Sequence, residues 1–221
     1  REVIVDVKLP GRPRISYCEV KVKDVPRIVE ETLLGGRVLE DKLLGLYSRD
    51  GAAEWSDLPL LSDLNFFRKQ QKINLENCGV IDPDSIDQYL ASGGYAGLSR
   101  ILQSQTPQAV IDDILASGLR GRGGGGFPTG RKWQFALDQK ADKKYLICNA
   151  DEGDPGAFMD RAMLEGDPHR VIEGMIIGAF AIGASRGYIY CRAEYPLAIR
   201  RLENSLKEAR AYGLLGENLL G

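Results

Sequence analysis

The chain has 221 residues, of which 43% are apolar and 27% charged, and its formal net charge is −2. This is the composition of an ordinary globular protein. It contains no basic stripe with interleaved aromatic residues, which argues against a nucleic-acid partner. The longest apolar run, residues 175–184, is too short to cross a bilayer, so we predict no membrane insertion. No signal peptide is visible, and because the first residue is Arg1 we expect the natural N-terminus to lie upstream.

The four cysteines lie far apart and show no C-x-x-C spacing; they are Cys18, Cys78, Cys148 and Cys191. This spacing argues against a zinc site or a redox dithiol carried within the chain. We therefore predict no metal ligands here, and expect reduced thiols that act as small apolar residues in a cytoplasmic protein.

The first 46 residues predict two strands and a helix. Residues 2–7 and 15–22 alternate as strands do, and residues 10–13 form a turn between them. A helix follows, with Asp24 as its N-cap and the glycines at 35–36 at its end. This group of elements is too small to form a domain by itself.

The rest of the chain predicts helices first and an α/β pattern afterwards. Residues 47–70 are polar and irregular, residues 85–102 form two short helices broken at 93–94, and residues 107–117 form an amphipathic helix. The remaining elements are a helix from Thr129 to 137, a strand at 144–148, a helix from Asp167 to 182, a strand at 186–192 and a helix at 196–212. Strand–helix–strand–helix order predicts a parallel sheet with a right-handed crossover.

A glycine-rich loop lies between two of these helices, with six glycines among residues 118–126. Residues 121–126 match G-x-G-x-x-G, but the loop follows a helix rather than a strand, so the dinucleotide fingerprint fails. Clustered N–H groups, the next helix N-terminus and the cations Arg122, Arg131 and Lys132 still favour a phosphate or pyrophosphate. The alternative is a flexible surface loop. Phe127 and Phe135 flank the loop and offer either a stacking face for a ring or core packing.

An acidic loop follows the strand at 144–148. It contains Asp151, Glu152 and Asp154 within four residues, shortly after Asn149. In open α/β sheets ligands bind beyond the carboxyl ends of the strands, so this loop is placed to contact a ligand. Because its carboxylates would repel phosphates, it should face the neutral parts of the ligand, such as hydroxyl groups, which carboxylates bind by charge-assisted hydrogen bonds. A metal site and a solvated turn are the alternatives. His169, the single histidine, is expected to be a surface or capping residue rather than a base.

These two motifs together resemble the NADH-binding flavoprotein subunit of respiratory complex I and the diaphorase subunits of NAD(P)-linked hydrogenases. The resemblance rests on residues 121–133, on Asn149–Glu152, on Pro155-Gly156 and on Asp160-Arg161. Residues 151–161 and 165–170 and the Asn77-Cys78-Gly79 motif resemble most the beta subunit of multimeric electron-bifurcating [FeFe]-hydrogenases.

The resemblance implies three segments. Residues 1–46 would be the C-terminal half of a thioredoxin-like iron–sulfur module, residues 47–106 a linker and helical connector, and residues 107–221 the first part of a Rossmann-like FMN/NAD(H)-binding α/β domain. Because the cysteine ligands and the later family segments are not in this sequence, we expect a chain incomplete at both ends.

The resemblance also implies which residues bind the cofactors. The full set of cofactor-binding residues is Gly121, Arg122, Gly123, Gly124, Gly125, Gly126, Phe127, Lys132, Phe135, Asn149, Asp151, Glu152 and Asp154. Gly121, Gly123 and Lys132 match positions near the FMN phosphate and ribityl chain. Asn149, Asp151 and Glu152 match positions reaching the flavin, the two phenylalanines match rings that hold adenine, and Asp154 matches an acidic residue that contacts NADH, usually a glutamate in complex I. No catalytic acid or base is expected, since hydride passes directly from nicotinamide to flavin.

The function so implied is that of an NAD(P)H-dependent FMN oxidoreductase subunit of a [FeFe]-hydrogenase, with [4Fe–4S] and [2Fe–2S] clusters on ligands outside this chain. Its partners would be the hydrogenase catalytic subunit, a small thioredoxin-like [2Fe–2S] subunit and, as a further candidate, ferredoxin. One alternative is the NADH-binding subunit of complex I, and another is a redox-inactive scaffold subunit.

Overall fold

A computed structural model of the protein describes residues 2–49, 55–217 and 219. These residues divide into two compact units, Arg1–Gln71 and Lys72–Gly221. The division between units falls after residue 71, whereas the sequence analysis placed segment boundaries after residues 46 and 106. The identities assigned to those three segments stay predictions.

The first unit contains an antiparallel three-stranded sheet in the order β1-β2-β3. Its strands are β1 (Val5–Val7), β2 (Ile15–Tyr17) and β3 (Leu43–Leu46). The two predicted strands are confirmed, although both are shorter than predicted. Strand β3 was missed because it is a four-residue, leucine-rich segment without the alternating pattern that indicates a strand.

A helical segment lies where a helix was predicted, and it packs on this sheet, although the Asp24 side chain makes no capping hydrogen bond to the helix. It consists of a 3₁₀ turn (Val22–Asp24), a short α-helix α1 (Val25–Arg27) and a π-helical stretch (Ile28–Leu34). The buried Thr32 hydroxyl lies 2.8 Å from the Tyr17 hydroxyl and joins helix to sheet. Short 3₁₀ turns also occur at Glu40–Lys42 and Leu61–Asp63. The core of this unit consists of Val7, Ile15, Tyr17, Val20, Ile28, Leu39, Leu46 and Trp55.

The second unit contains seven helices and two strands among its described residues. In chain order they are α2 (Ile86–Ala91), α3 (Ala96–Ser104), α4 (Pro107–Ala116), α5 (Thr129–Asp138), β4 (Tyr145–Ala150), α6 (Met159–Gly166), α7 (Pro168–Ile182), β5 (Arg186–Cys191) and α8 (Pro196–Ala211). The predicted elements are confirmed to within a few residues. The eight-residue helix α6 was missed, because no element was predicted for residues 159–166.

Strands β4 and β5 form a parallel pair, in register from Tyr145 opposite Arg186 to Ala150 opposite Cys191. This confirms the predicted parallel sheet and the α/β class. Burial alternates along β4, so that one face is covered by helices and the other is open. On the covered side, a cluster joins the sheet to α6, α7 and α8; it contains Cys148, Ala150, Leu164, Val171, Ile189, Cys191, Tyr195, Ala198 and Leu202.

Helix α7 is the element on which both α5 and β4 pack. A Cβ atom placed on Gly178 of α7 would lie 3.2 Å from the Trp133 ring and 3.6 Å from the Leu146 side chain. The predicted core placement of Trp133 is thereby confirmed. In the described part of the chain, no helix combines the length and hydropathy needed to cross a membrane.

Candidate functional site

The glycine-rich loop runs from the end of α4 to the start of α5 and is closed at its base by backbone hydrogen bonds. The Gly121 N–H donates to the Phe127 carbonyl at 2.9 Å, and the Thr129 N–H donates to the Leu119 carbonyl at 2.9 Å. Thr129 was predicted to cap α5, but it is the first residue of that helix, and no side chain caps the helix N-terminus. The Arg120 guanidinium donates to the Gly126 carbonyl at 3.1 Å.

Inside this closed base the loop faces open space. Cβ atoms placed on Gly123, Gly124, Gly125 or Gly126 would meet no heavy atom within 4 Å. Gly124 and Gly126 have φ values of +100° and +58°, which favour glycine. The open side of the loop thus leaves room for a ligand to approach the backbone N–H groups closely.

The base of the loop is held by close packing of α5 on α4. A Cβ atom on the buried Gly130 would lie 2.6 Å from the Leu115 side chain and 2.9 Å from the Leu115 backbone nitrogen. Only glycine permits this approach of the two helices. The close contact fixes where the N-terminus of α5 emerges beside the loop.

The residues next to the loop supply positive charge and exposed rings. Arg122, Arg131 and Lys132 lie there, and all three are exposed. Phe127 is 48% exposed and Phe135 is 53% exposed, with ring centroids 6.3 Å apart, so the structure shows a surface pair and not core residues. Arg131 lies 5.9 Å from the centroid of the Phe135 ring. Cations, a helix N-terminus and two accessible rings fit a phosphate-containing ligand that also carries a heterocycle.

The acidic loop begins at the carboxyl end of β4 and is tied to the next helix. The Glu152 carboxylate accepts the backbone N–H groups of Asp160 and Arg161, at 3.0 and 3.1 Å, in the first turn of α6. A carboxylate is favoured at this position by the helix dipole. Glu152, which the resemblance assigned to the flavin, is buried and caps α6 in this structure. By contrast, Asp151 and Asp154 are exposed.

A residue that the sequence analysis missed completes this edge of the sheet. Arg192 follows β5 directly, as Asp151 follows β4, and its guanidinium donates to the Glu152 carbonyl at 2.7 Å. The same guanidinium lies 3.9 Å from the Asp151 carboxylate and 3.2 Å from that of Glu194. The signal was present in the sequence, because the carboxyl ends of neighbouring parallel strands share one edge.

The open face of the sheet continues this edge. Asn149 lies opposite Tyr190 in the register of β4 and β5, and both are exposed on the uncovered side. Tyr145, Ile147 and Tyr188 lie further back on the same face. Asn149, which was predicted to bind a cofactor, therefore lies on an accessible surface next to the acidic loop.

The two loops are connected through their supporting elements. Among the described residues no hydrogen bond or ion pair joins residues 118–132 directly to residues 149–158. The link is indirect, because helix α7 contacts both α5, which follows the glycine-rich loop, and β4, which precedes the acidic loop. The described ranges contain no group of three or more histidine, cysteine, aspartate or glutamate side chains that could hold a metal ion.

The predicted surface or capping position of His169 was wrong. This histidine is 1% exposed, with Nδ1 3.0 Å from the Tyr95 hydroxyl and Nε2 3.1 Å from the Glu208 carboxylate. It lies on α7 and joins it to Tyr95, the residue before α3, and to α8. Its neighbour Asp167 also makes no capping bond, and instead accepts hydrogen bonds from Asn77 at 2.9 Å and from Arg170 at 2.8 Å.

The cysteines behave largely as predicted. In the described residues all four are free thiols. Burial raises the pKa of Cys148 and of Cys191, which lie on the covered face of the sheet. Burial also raises the pKa of Cys78, whose thiol lies 3.5 Å from the Ala162 carbonyl.

The chain is similar to known proteins. The chain is 62% identical over 154 residues to the NADP-reducing hydrogenase subunit HndC of Solidesulfovibrio fructosivorans, a match that covers 70% of this chain and 31% of that protein. It is 43% identical over 140 residues to a subunit of the NADH-quinone oxidoreductase of Escherichia coli, covering 63% of this chain and 32% of that protein. The chain thus spans about a third of the length of these relatives.

A solved structure shows the same fold. The crystal structure of an NAD⁺-reducing [NiFe]-hydrogenase in the air-oxidized state matches with a TM-score of 0.51 and 26% identity, over 92% of this chain and 30% of that one. The family model of the Nuo51 FMN-binding domain matches residues 114–217, which include both loops. The match to this family model and to these relatives supports the predicted resemblance for residues 114–217.

Proposed function

We propose that the chain is part of the flavoprotein subunit of an NAD(P)-linked, electron-bifurcating [FeFe]-hydrogenase, in which NAD(H) and FMN exchange a hydride. The observation that carries this proposal is the pairing of an open, cationic glycine loop with an acidic strand-end loop on one scaffold. When bound, FMN would supply the exchange between two-electron hydride transfer and one-electron transfer.

The described residues fit an FMN site by their chemistry. The glycines at 123–126 leave the space that a ligand needs, and they do so beside the N-terminus of α5. Lys132 and Arg122 lie there and can neutralise a phosphate. Asn149 and Asp151 are exposed at the carboxyl end of β4, where an amide and a carboxylate can bind polar ring atoms and hydroxyl groups.

NAD(H) binding is proposed for the aromatic pair and the acidic loop. Phe127 and Phe135 present ring faces on the surface next to the glycine loop and can stack on adenine. Asp154 is exposed in the acidic loop and is the proposed contact to the reduced dinucleotide. These residues bind and orient, and none of them needs to transfer a proton.

The hydrogenase assignment is favoured by the relative with 62% identity, whose name states a hydrogenase that reduces NADP. Accordingly, the proposed partners are a hydrogenase catalytic subunit, a small thioredoxin-like [2Fe–2S] subunit and ferredoxin, in the cytoplasm. The [4Fe–4S] and [2Fe–2S] clusters would lie on ligands outside this chain. A complex I subunit is the second candidate, because the Escherichia coli NADH-quinone oxidoreductase protein is 43% identical over the matched region.

The test is the visible spectrum of the full-length subunit, reconstituted with FMN and iron, before and after anaerobic addition of NADH or NADPH. We expect the flavin band to appear and to bleach with at least one nucleotide. A flavin band that neither nucleotide bleaches would overturn the assignment of NADH or NADPH as the electron donor. The absence of any flavin band would favour a redox-inactive scaffold. Reduction of the hydrogenase subunit, but not of a quinone, in the reassembled complex would separate the two candidates.

A further inference from the structure

A cationic side chain, that of Arg192, contacts the root of the acidic loop. Arg192 is the residue that follows the end of β5, and its side chain is 28% exposed. It reaches across to the neighbouring strand end and donates to the backbone carbonyl of Glu152 at 2.7 Å. A guanidinium presents several donors in a fixed plane, so one arginine can hold a carbonyl and face carboxylates at the same time.

Carboxylates are frequent in the acidic loop and directly after β5, and three of them, Asp151, Glu152 and Glu194, have a partner among the described residues. Glu152 is held by the first turn of α6, while Asp151 and Glu194 face Arg192 at 3.9 and 3.2 Å. Asp154 is exposed and forms no ion pair among the described residues. Without Arg192, Asp151 and Glu194 would repel both each other and any anionic ligand.

The loop is fastened through Glu152 in two directions. Its carbonyl is held by Arg192, and its carboxylate is held by the N–H groups of Asp160 and Arg161. One residue therefore links the end of β5, the root of the loop and the start of α6. Releasing the carbonyl would free the backbone that carries the carboxylate, and would loosen the cap of α6 as well.

We propose that Arg192 is the positioning residue of the acidic loop: it fixes Asp151 and Glu152 and neutralises this edge so that an anionic cofactor can bind. The part of this inference that concerns the cofactor rests on the proposed function. Arg192 acts through the loop and need not touch the cofactor itself.

The experiment compares Arg192→Gln and Arg192→Lys in the full-length subunit, with Arg186→Gln as the matched control. Arg186 begins the same strand and lies at its opposite end. Hydrogen exchange of the flavin-free protein is measured first. In Arg192→Gln we expect the Asp160 and Arg161 amides to exchange about tenfold faster, while residues 121–127 stay unchanged, as a lost charged hydrogen bond predicts. Arg192→Lys should restore part of the protection, because lysine reaches one acceptor as a point charge.

An FMN titration of the same proteins is the second measurement. We expect the FMN Kd to rise about tenfold in Arg192→Gln and less in Arg192→Lys, with no change in Arg186→Gln. Unchanged exchange in Arg192→Gln would overturn the inference whether or not FMN binds. Faster exchange with an unchanged FMN Kd would overturn the role toward the cofactor. If the wild-type protein binds no FMN, the proposed function fails, while the exchange data still decide whether Arg192 holds the loop.

Discussion

The glycine-rich loop and the acidic loop are built in opposite ways. The glycine loop is closed only at its base, and beyond Gly121 its backbone faces open space. The acidic loop is held along its first residues, by Arg192 on one side and by the first turn of α6 on the other. One loop offers backbone donors to a ligand, and the other presents side chains in fixed places.

The two loops therefore differ in how much conformational entropy each would lose when a ligand binds. Ordering a run of glycines costs conformational entropy, so the glycine loop is expected to lose freedom when a ligand binds. The acidic loop has already lost that freedom on folding, and its buried carboxylate is satisfied by two N–H groups. We therefore expect ligand affinity to change most when charged residues beside the glycine-rich loop are substituted. Folding stability should change most when the residues that pack or cap the helices next to the two loops are substituted.

The largest effect is expected where the base of the glycine loop is packed. Gly130→Val would place side-chain atoms against the Leu115 backbone nitrogen, which lies 2.9 Å from a Cβ atom at this position. We expect a loss of about 3 kcal/mol in the free energy of unfolding, measured with urea, as overpacking of helix contacts predicts. Gly123→Val, in the open part of the loop, is the control and should change stability by less than about 0.5 kcal/mol. An equal loss of unfolding free energy in Gly130→Val and Gly123→Val would contradict the proposed difference between the packed base and the open part of the glycine-rich loop.

Next in size is the effect of removing a charge beside the open loop. If Lys132 binds the FMN phosphate as proposed, Lys132→Ala should cost about 1.5–3 kcal/mol of binding free energy, or roughly a ten- to hundredfold rise in the FMN Kd. The measurement is a fluorescence titration of the full-length subunit with FMN. Lys140→Ala, an exposed lysine just beyond α5, is the control. Unchanged FMN affinity in Lys132→Ala would remove this lysine from the site.

The helices and strands of the second unit were predictable because the sequence carries their signals locally. Pro107 and Pro196 begin helices, Gly118 and Gly183 have positive φ at helix ends, and apolar periodicity fills the spans between. The two loops were predictable as motifs for the same reason, since each concentrates one kind of chemistry within a few residues.

Other features could not be read from the sequence because they depend on tertiary contacts. His169 was expected at the surface, yet its partners Tyr95 and Glu208 are 74 and 39 residues away, and only folding brings them together. Glu152 was assigned to the ligand, and its capping of α6 was hidden because α6 itself was missed. Arg192 carries no motif, and its role follows from the parallel register of β4 and β5.

A smaller effect is expected where the acidic loop meets α6. Glu152→Ala should remove the side-chain cap of this helix and cost about 1 kcal/mol of folding stability, as lost N-terminal caps do. Thermal and urea unfolding of the full-length subunit would measure it. Glu203→Ala, an exposed glutamate on α8, serves as the control. A stability equal to that of the wild type would show that the loop does not depend on this contact.

The smallest effect concerns reactivity, and it compares the open loop directly with the covered face of the sheet. Gly123→Cys would place a thiol in open space, whereas the Cys148 thiol lies on the covered side of β4, where burial raises its pKa. Because the thiolate is the reacting form, a raised pKa lowers its fraction at a given pH. At a pH of about 7.5, below the ordinary cysteine pKa, we expect iodoacetamide to modify the introduced thiol faster than Cys148, as followed by mass spectrometry of the two peptides.

The pH dependence of this reaction sharpens the comparison. The rate at the introduced thiol should level off as pH passes the ordinary cysteine pKa of about 8.5, whereas the rate at Cys148 should keep rising to higher pH. The rate at the introduced thiol divided by the rate at Cys148 should therefore fall as pH rises above about 8.5. Saturating FMN should slow modification of the introduced thiol and leave Cys148 unchanged, because the Cys148 thiol lies on the covered face of β4, opposite the face that exposes Asn149. Protection of Cys148 without protection of the introduced thiol would reverse the roles of the two regions, and would place the cofactor over the sheet instead of over the glycine loop.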